Sequence, residues 1–203
     1  MGEELGRWEP AAPAEVAAWF AGFPGPWWIA GGWAIELALN PSTVDSPTSR
    51  PHGDIDVMVL REHHLGAHHA LPGWELWAAD PPGTLRPWPP GQALPTTVHD
   101  VWCRPGPEAP WRVQIMIDES AGEEWISRRD NRIRRPLAEL GAIISDGLPF
   151  LRPEIQLYYK SRDPRDKDEQ DFAVVAAHLT AAQRRWLREA IAPDHPWLAR
   201  LHG

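Results

Sequence analysis

Asp54 and Asp56, in the run Gly53-Asp54-Ile55-Asp56-Val57, are the strongest chemical signal in this chain of 203 residues. From Asp54 to Leu60 the apolar residues Ile55, Val57 and Val59 alternate, so the run reads as a β-strand. Alternate side chains share a strand face, which sets the two carboxylates roughly 6–7 Å apart along it. Two carboxylates on one face repel each other and desolvate poorly without a cation. Magnesium prefers oxygen ligands and commonly takes one or two carboxylates together with substrate phosphates. The pair therefore reads as a divalent-metal cradle, although an isolated Asp-x-Asp on an edge strand is often only a solvated face.

Context sharpens that reading. Upstream, Gly31-Gly32 lies between a short apolar run, Trp27–Ala30, and a helical pattern from Trp33 to Asn40. Glycine lets the backbone approach a phosphate closely. A helix N-terminus adds free N–H groups and positive potential. A phosphate-binding turn followed by an acidic strand is more specific than either part.

Together, Gly31-Gly32-Trp33-Ala34-Ile35-Glu36 and Arg50-Pro51-His52-Gly53-Asp54-Ile55-Asp56-Val57 resemble the aminoglycoside and lincosamide nucleotidyltransferases of the polymerase-β-type superfamily. The likeness is greatest to the aminoglycoside 2''-adenylyltransferase group. It is specific over residues 27 to 60. The tail, with Pro153-Glu154-Ile155-Gln156-Leu157, Lys160, Lys167-Asp168 and Asp171, also resembles the end of such chains. The resemblance implies a nucleotidyltransferase fold whose sheet carries three carboxylates. Asp54 and Asp56 would hold two Mg2+ ions, with Mn2+ an alternative. The third acid would help hold one ion and serve as general base toward an acceptor hydroxyl. Nucleoside triphosphate, with ATP first among them, and a small hydroxylated acceptor are the implied partners.

The third carboxylate departs from the pattern. On the strand Trp111–Asp118 the expected position holds Gln114. Asp118 shares its face two alternations later, and Asp100 lies on the preceding strand. Asp118 is preferred, and assigned as a metal ligand with Asp54 and Asp56; Asp100 is the second candidate. Gly31, Gly32, Arg50, His52 and Lys160 are the candidate nucleotide-binding residues. Lys160 would offer a point charge to the β- or γ-phosphate; its plain alternative is an exposed lysine. Asp168 and Asp171, three apart on one helix face, read as partners of Lys or Arg rather than as metal ligands. The run Arg128-Arg129, Arg132, Arg134-Arg135 reads as a locally paired surface, with one triphosphate-facing role open. His64 and His68 have helical spacing but no third zinc ligand, so they read as a solvated helix face.

These residues need a scaffold. Elements are expected as a helix at Pro13–Phe23, a strand at Trp27–Ala30, a helix at Arg61–Leu71 and a strand at Trp74–Ala78. Two β-rich runs, Val98–Arg104 and Trp111–Asp118, would form a hairpin. Residues 81–95 carry too much proline for regular structure, and Pro136–Gly147 is ambiguous. Helices follow from Pro153, over Lys167–Leu179 and from Thr180, which has a capping-box spacing to Gln183. The fold class is thus α+β, a mixed β-sheet flanked by helices with a C-terminal helical segment. Residues 1–150 would form the catalytic domain and 151–203 the helices packed on it.

Bulk properties narrow the function. The net charge is −8, from 28 acidic against 20 basic residues, which argues against a general nucleic-acid binder. An acidic rim would favour a cationic acceptor such as an aminoglycoside. The single cysteine, Cys103, excludes an intramolecular disulfide and a cysteine-cluster metal site. The N-terminal residues do not read as a signal peptide and no run has the roughly 20 apolar residues of a membrane helix. A cytoplasmic protein is the expectation. Two alternatives stand beside the small-molecule transferase. One is a toxin–antitoxin or defence-type nucleotidyltransferase acting on tRNA or protein, which a basic groove would favour. The other is a non-catalytic nucleotide-binding module, suggested by Gln114.

Overall fold

A computed structural model describes residues 5–42 and 48–201. The chain runs through α1 (Pro13–Phe20), β1 (Trp27–Ala30), α2 (Gly31–Leu39) and β2 (Asp56–Leu60). A 3-10 turn, Arg61–Gly66, leads into α3 (Ala67–Ala70), followed by β3 (Glu75–Ala79), β4 (Leu85–Pro87), β5 (Asp100–Arg104) and β6 (Val113–Ala121). Then come β7 (Glu124–Ile126), β8 (Arg134–Pro136), β9 (Gly141–Ile143) and β10 (Pro149–Leu151). The tail is helical, with α4 (Pro153–Lys160), α5 (Asp166–Val175) and α6 (Ala181–Ala190).

Among the described residues the strands form one mixed sheet in the order β4-β3-β5-β6-β2-β1-β10-β9. The β2–β6 and β1–β10 pairs are parallel; the other neighbours along this path are antiparallel. The expected α+β architecture with a helical tail is what the chain adopts. The sheet separates two apolar layers. Ile29, Val57, Val59, Val101, Val113 and Ile115 pack with Val16 and Phe20 of α1. On the other side Met58, Leu60 and Met116 pack with Ala34 and Ile35 of α2 and with Ile155, Leu157 and Phe172 of α4 and α5. Full burial of each Val, Ile, Leu, Met or Phe side chain among these stabilises the fold by roughly 1.5–3 kcal/mol.

Alternation puts Asp56 on the same face as Met58 and Leu60, which is the helix-covered face. The site residues therefore lie where the tail helices meet the sheet. Thr180 caps α6 as expected, accepting from Gln183 N, while the Gln183 side chain accepts from Thr180 N.

Three local expectations are corrected. The acidic strand begins at Asp56, so Asp54 lies in the approach to it. The helix expected over Arg61–Leu71 splits into the 3-10 turn and the four-residue α3, because the His64 ring bonds the Arg61 carbonyl at 2.5 Å and takes an oxygen from the first turn. His64 is buried rather than solvated; it stacks on Trp88 and accepts from Leu94 N at 3.1 Å. The proline-rich stretch also holds β4, and β9 and β10 are three residues each, too short to show a period. Among the described residues no helix is long and apolar enough to cross a membrane.

Candidate active site

The site is built at the end of the β1–β2 pair. Ala30 pairs with Asp56 in the antiparallel register, so the residue after Ala30, which opens α2, must lie against the Asp56 carboxylate. That residue is Gly31, with a positive φ of +66°, and a Cβ there would overlap Asp56 Oδ2. A Cβ on Gly32 would overlap the Arg50 guanidinium and the His52 ring. Both glycines are thus fixed by close approach, and Gly31 also by its left-handed backbone. The Gly31 N–H is held by Gln156 Oε1 of α4 at 2.8 Å.

Gly31, Gly32, Arg50, Asp54, Asp56, Asp100 and Lys160 line one cleft of about 520 Å³. Asp100 reaches it from β5, two strands away from Asp56. Gln114 stands between them: it pairs with Asp56 in the β2–β6 register, and its Nε2 donates to Asp100 Oδ1 at 3.0 Å. Burial, then the charges of Asp54 and Asp100, push the Asp56 carboxyl up to about 7, against the pull of Lys160 and Lys167. Lys167 approaches Asp54 Oδ2 at 3.6 Å.

Asp118 does not join this group. It pairs with Leu60, four residues along β2 from Asp56, and lies fully buried beneath the tail helices. Trp125 Nε1 donates to its Oδ2 at 2.6 Å, Tyr159 OH donates to the same oxygen, and Arg128 Nε lies 3.5 Å from Oδ1. Burial raises its pKa above the ordinary carboxylate value, against Arg128 and the Tyr159 and Trp125 hydrogen bonds. The register, not the face, defeats the preference for Asp118. Among the described residues no three His, Cys, Asp or Glu side chains stand close enough to hold a metal between them. The trio Asp54, Asp56 and Asp118 is therefore not assembled. Asp54 and Asp56 remain as a pair of oxygen donors, a set that suits magnesium completed by phosphate oxygens and water.

The other candidates fall into place differently. Arg50 lines the cleft but is clamped by Asp171, with Nε to Oδ1 at 2.7 Å and Nη2 to Oδ2 at 2.9 Å. His52 is bonded to Glu36 Oε1 at 3.0 Å and packs on Trp33, so it braces the loop rather than facing the cleft. Glu36 also accepts from Ser49 N and Oγ. Lys160 is buried, bridging Asp168 at 2.7 Å and Asp171 at 2.8 Å. These two acids are ion-pair partners, as their spacing indicated, and Lys160 is buried rather than exposed, at the wall of the cleft. The basic run divides: Arg132 pairs with Asp130, Arg134 with Glu124 and Arg135 with Glu154, whereas Arg128 and Arg129 line the cleft.

The sequence reading gave no role to Gln156, Arg162, Arg165 or Lys167, which also line the cleft. The PEIQLYYK helix of the tail was a local signal for Gln156. Nothing local marks Arg162, which enters from the α4–α5 connection. Seven of the lining side chains are basic and five acidic; Arg50, Arg128, Lys160, Arg165 and Lys167 are paired with Asp171, Asp118, Asp168 or Asp54, which leaves Arg129 and Arg162 as the cations that set the cleft apart from the acidic chain.

A glycine-opened helix N-terminus beside an aspartate pair, on a mixed sheet backed by tail helices, is the arrangement of a nucleotidyltransferase fold. Solved structures agree. The chain is similar to a crystal structure of ANT(2'')-Ia in complex with adenylyl-2''-tobramycin, at 16% identity and a TM-score of 0.53, over 87% of this chain and 92% of that one. It is also similar to a solution structure of the antibiotic-resistance factor ANT(2'')-Ia, at 16% identity and a TM-score of 0.55, over 93% and 94% of the two chains. At this identity the likeness establishes the fold. No protein-family model and no curated protein matches the chain.

Proposed function

We propose that the protein transfers a nucleoside monophosphate, AMP first among them, from a nucleoside triphosphate to a hydroxyl of an acceptor. One observation carries this reading: the Ala30–Asp56 pairing sets the open N-terminus of α2 beside Asp54 and Asp56 in a single cleft that Asp100 also lines. In this reading residues 1–150 are the catalytic domain and residues 151–203 the helices packed on it. The triphosphate lies against the α2 N-terminus, where the helix dipole and the N–H groups that follow Gly31, whose own N–H is held by Gln156, meet it. Asp54 and Asp56 would hold a magnesium ion together with the triphosphate, and the ion would supply charge neutralisation for the phosphates and the leaving pyrophosphate. Asp100 takes the proton of the acceptor hydroxyl as its oxygen attacks the α-phosphorus. The bond from that phosphorus to the bridging oxygen breaks, and pyrophosphate leaves. Gln114 holds Asp100 in place. Catalysis by these residues is mainly positioning and charge stabilisation.

The place of Asp100 in the cleft and its hydrogen bond from Gln114 support Asp100 over Asp118 as the third acid, with Gln114 as its positioning partner. This favours turnover over a binding-only module. The basic excess in the cleft favours a second reading, an RNA or protein acceptor. Both readings are tested by incubating the protein with magnesium and α-labelled nucleoside triphosphates against aminoglycosides, lincosamides and tRNA. Incorporated label with equimolar pyrophosphate supports transfer. Absence of label from every acceptor, with the nucleotide bound, contradicts it.

A further inference from the structure

The cleft opens on a neighbouring hollow of about 530 Å³, within the range of small-ligand sites. Two of the side chains on its wall, Arg129 and Arg162, also line the cleft, whereas Gly31, Gly32, Asp54 and Asp56 line the cleft alone. The two arginines therefore stand where the two spaces adjoin. Neither has a carboxylate partner among the described residues. Arg129 is held by the backbone carbonyls of Tyr158 and Tyr159 and by the Tyr159 ring face, 4.9 Å from its guanidinium carbon. Desolvation first, then repulsion from Arg128 and Arg162, draws its pKa below the ordinary arginine value. Across the hollow, Asp194 is the one carboxylate on the wall among the described residues. His195 is committed to Ser161 O and to Trp197 N.

Two uncompensated guanidiniums facing one space repel each other, and an anion between them removes that cost. Planar guanidinium forks match phosphate oxygens in pairs. A polycationic acceptor would meet like charge here with one carboxylate to answer it. We infer that the acceptor carries a phosphate group, seated between Arg129 and Arg162, and presents its hydroxyl to Asp100 across the boundary. This inference rests on the transferase reading above. The phosphate belongs either to a small phosphate monoester or to the backbone of an RNA end, two sources of one chemistry.

The test is equilibrium titration of the full chain with ribose 5-phosphate, an RNA pentamer ending in a free 3'-hydroxyl, and tobramycin. Each is run with and without a non-hydrolysable ATP analogue and magnesium. Ribose 5-phosphate or the pentamer is expected to bind in competition with inorganic phosphate, and tobramycin is not. Arg162→Gln, at an exposed position that leaves the fold intact, is expected to weaken that phosphate ligand at least tenfold and the ATP analogue by much less; Arg129→Gln should act alike. Preference for the pentamer identifies the source as RNA and upholds the inference. Tobramycin binding in place of both phosphate ligands overturns it. So does an Arg162→Gln loss that falls equally on the ATP analogue, since the arginines would then serve the triphosphate. Failure of the wild-type protein to bind the ATP analogue overturns the transferase reading instead, and the nucleotide-free titration then decides the anion site alone.

Discussion

Gln114 Nε2 donates to Asp100 Oδ1 across 3.0 Å, from the β6 position that pairs with Asp56. The residue standing where an acid was expected thus holds the acid that comes from the next strand. Asp100→Asn is accordingly expected to lower turnover by about 10²–10⁴-fold, the range for a general base, with little change in stability. Gln114→Leu is expected to lower it less and to shift the acid limb of the pH–rate profile. Steady-state kinetics across pH check both.

Asp118→Asn is expected to leave turnover within a fewfold of wild type, since the amide oxygen still accepts from Trp125 and Tyr159. Asp118→Ala leaves those two buried donors without their acceptor and removes one of the two carboxylates near Arg128, and should cost roughly 3–5 kcal/mol. Denaturant unfolding reads this. A selective loss of turnover in Asp118→Asn, with unchanged stability and nucleotide affinity, would move the general base back to Asp118.

Lys160 ties α4 to α5 through Asp168 and Asp171. Lys160→Met is expected to destabilise by roughly 3–5 kcal/mol, because two buried acids lose a shared cation. Its effect on ATP affinity in protein that remains folded should be smaller than that of Asp56→Asn. Thermal unfolding and ATP titration separate the two effects.

Two groups of acids give stability opposite pH slopes. Asp168 and Asp171 have pKa values lowered in the folded protein, despite burial, by Arg165, Lys160 and Arg50. Their contribution is present above the unfolded carboxylate value and is lost as pH falls through the folded values. Asp56 is raised to about 7. In metal-free protein it favours the fold below the unfolded carboxylate pKa and loses that contribution as pH rises to 7, a span of roughly 4 kcal/mol at most. The melting temperature of metal-free protein should therefore fall between about pH 4 and 7, and Asp56→Asn should flatten the decline.

What the sequence made legible was local. Asp54 with Asp56 and Gly31 with Gly32 follow from alternation and turn chemistry within a few residues. The capping of α6 by Thr180 is local in the same way. The choice between Asp100 and Asp118 was not local. Both lie on the correct face, and only the register of β2 on β6 and of β6 on β5 separates them. The cleft's charge was hidden for a related reason. An acidic total says nothing about where the bases go, and Arg128, Arg129 and Arg162 come from two loops that the fold brings together. Lys160 was placed on the right helix, but its two aspartate partners lie on the next helix, and only the packing of α4 on α5 brings them to it. Gln156 reaches Gly31 across 125 residues of sequence, a contact that no periodicity announces.

The central claim is that Asp54 and Asp56, set beside Gly31, grip a metal-bound triphosphate. Calorimetric titration of a non-hydrolysable ATP analogue, with and without magnesium, on wild type and Asp56→Asn, tests it most directly. Wild type is expected to bind the analogue in a magnesium-dependent way, and Asp56→Asn to lose that dependence. Equal affinity and equal magnesium dependence in the two proteins would contradict it.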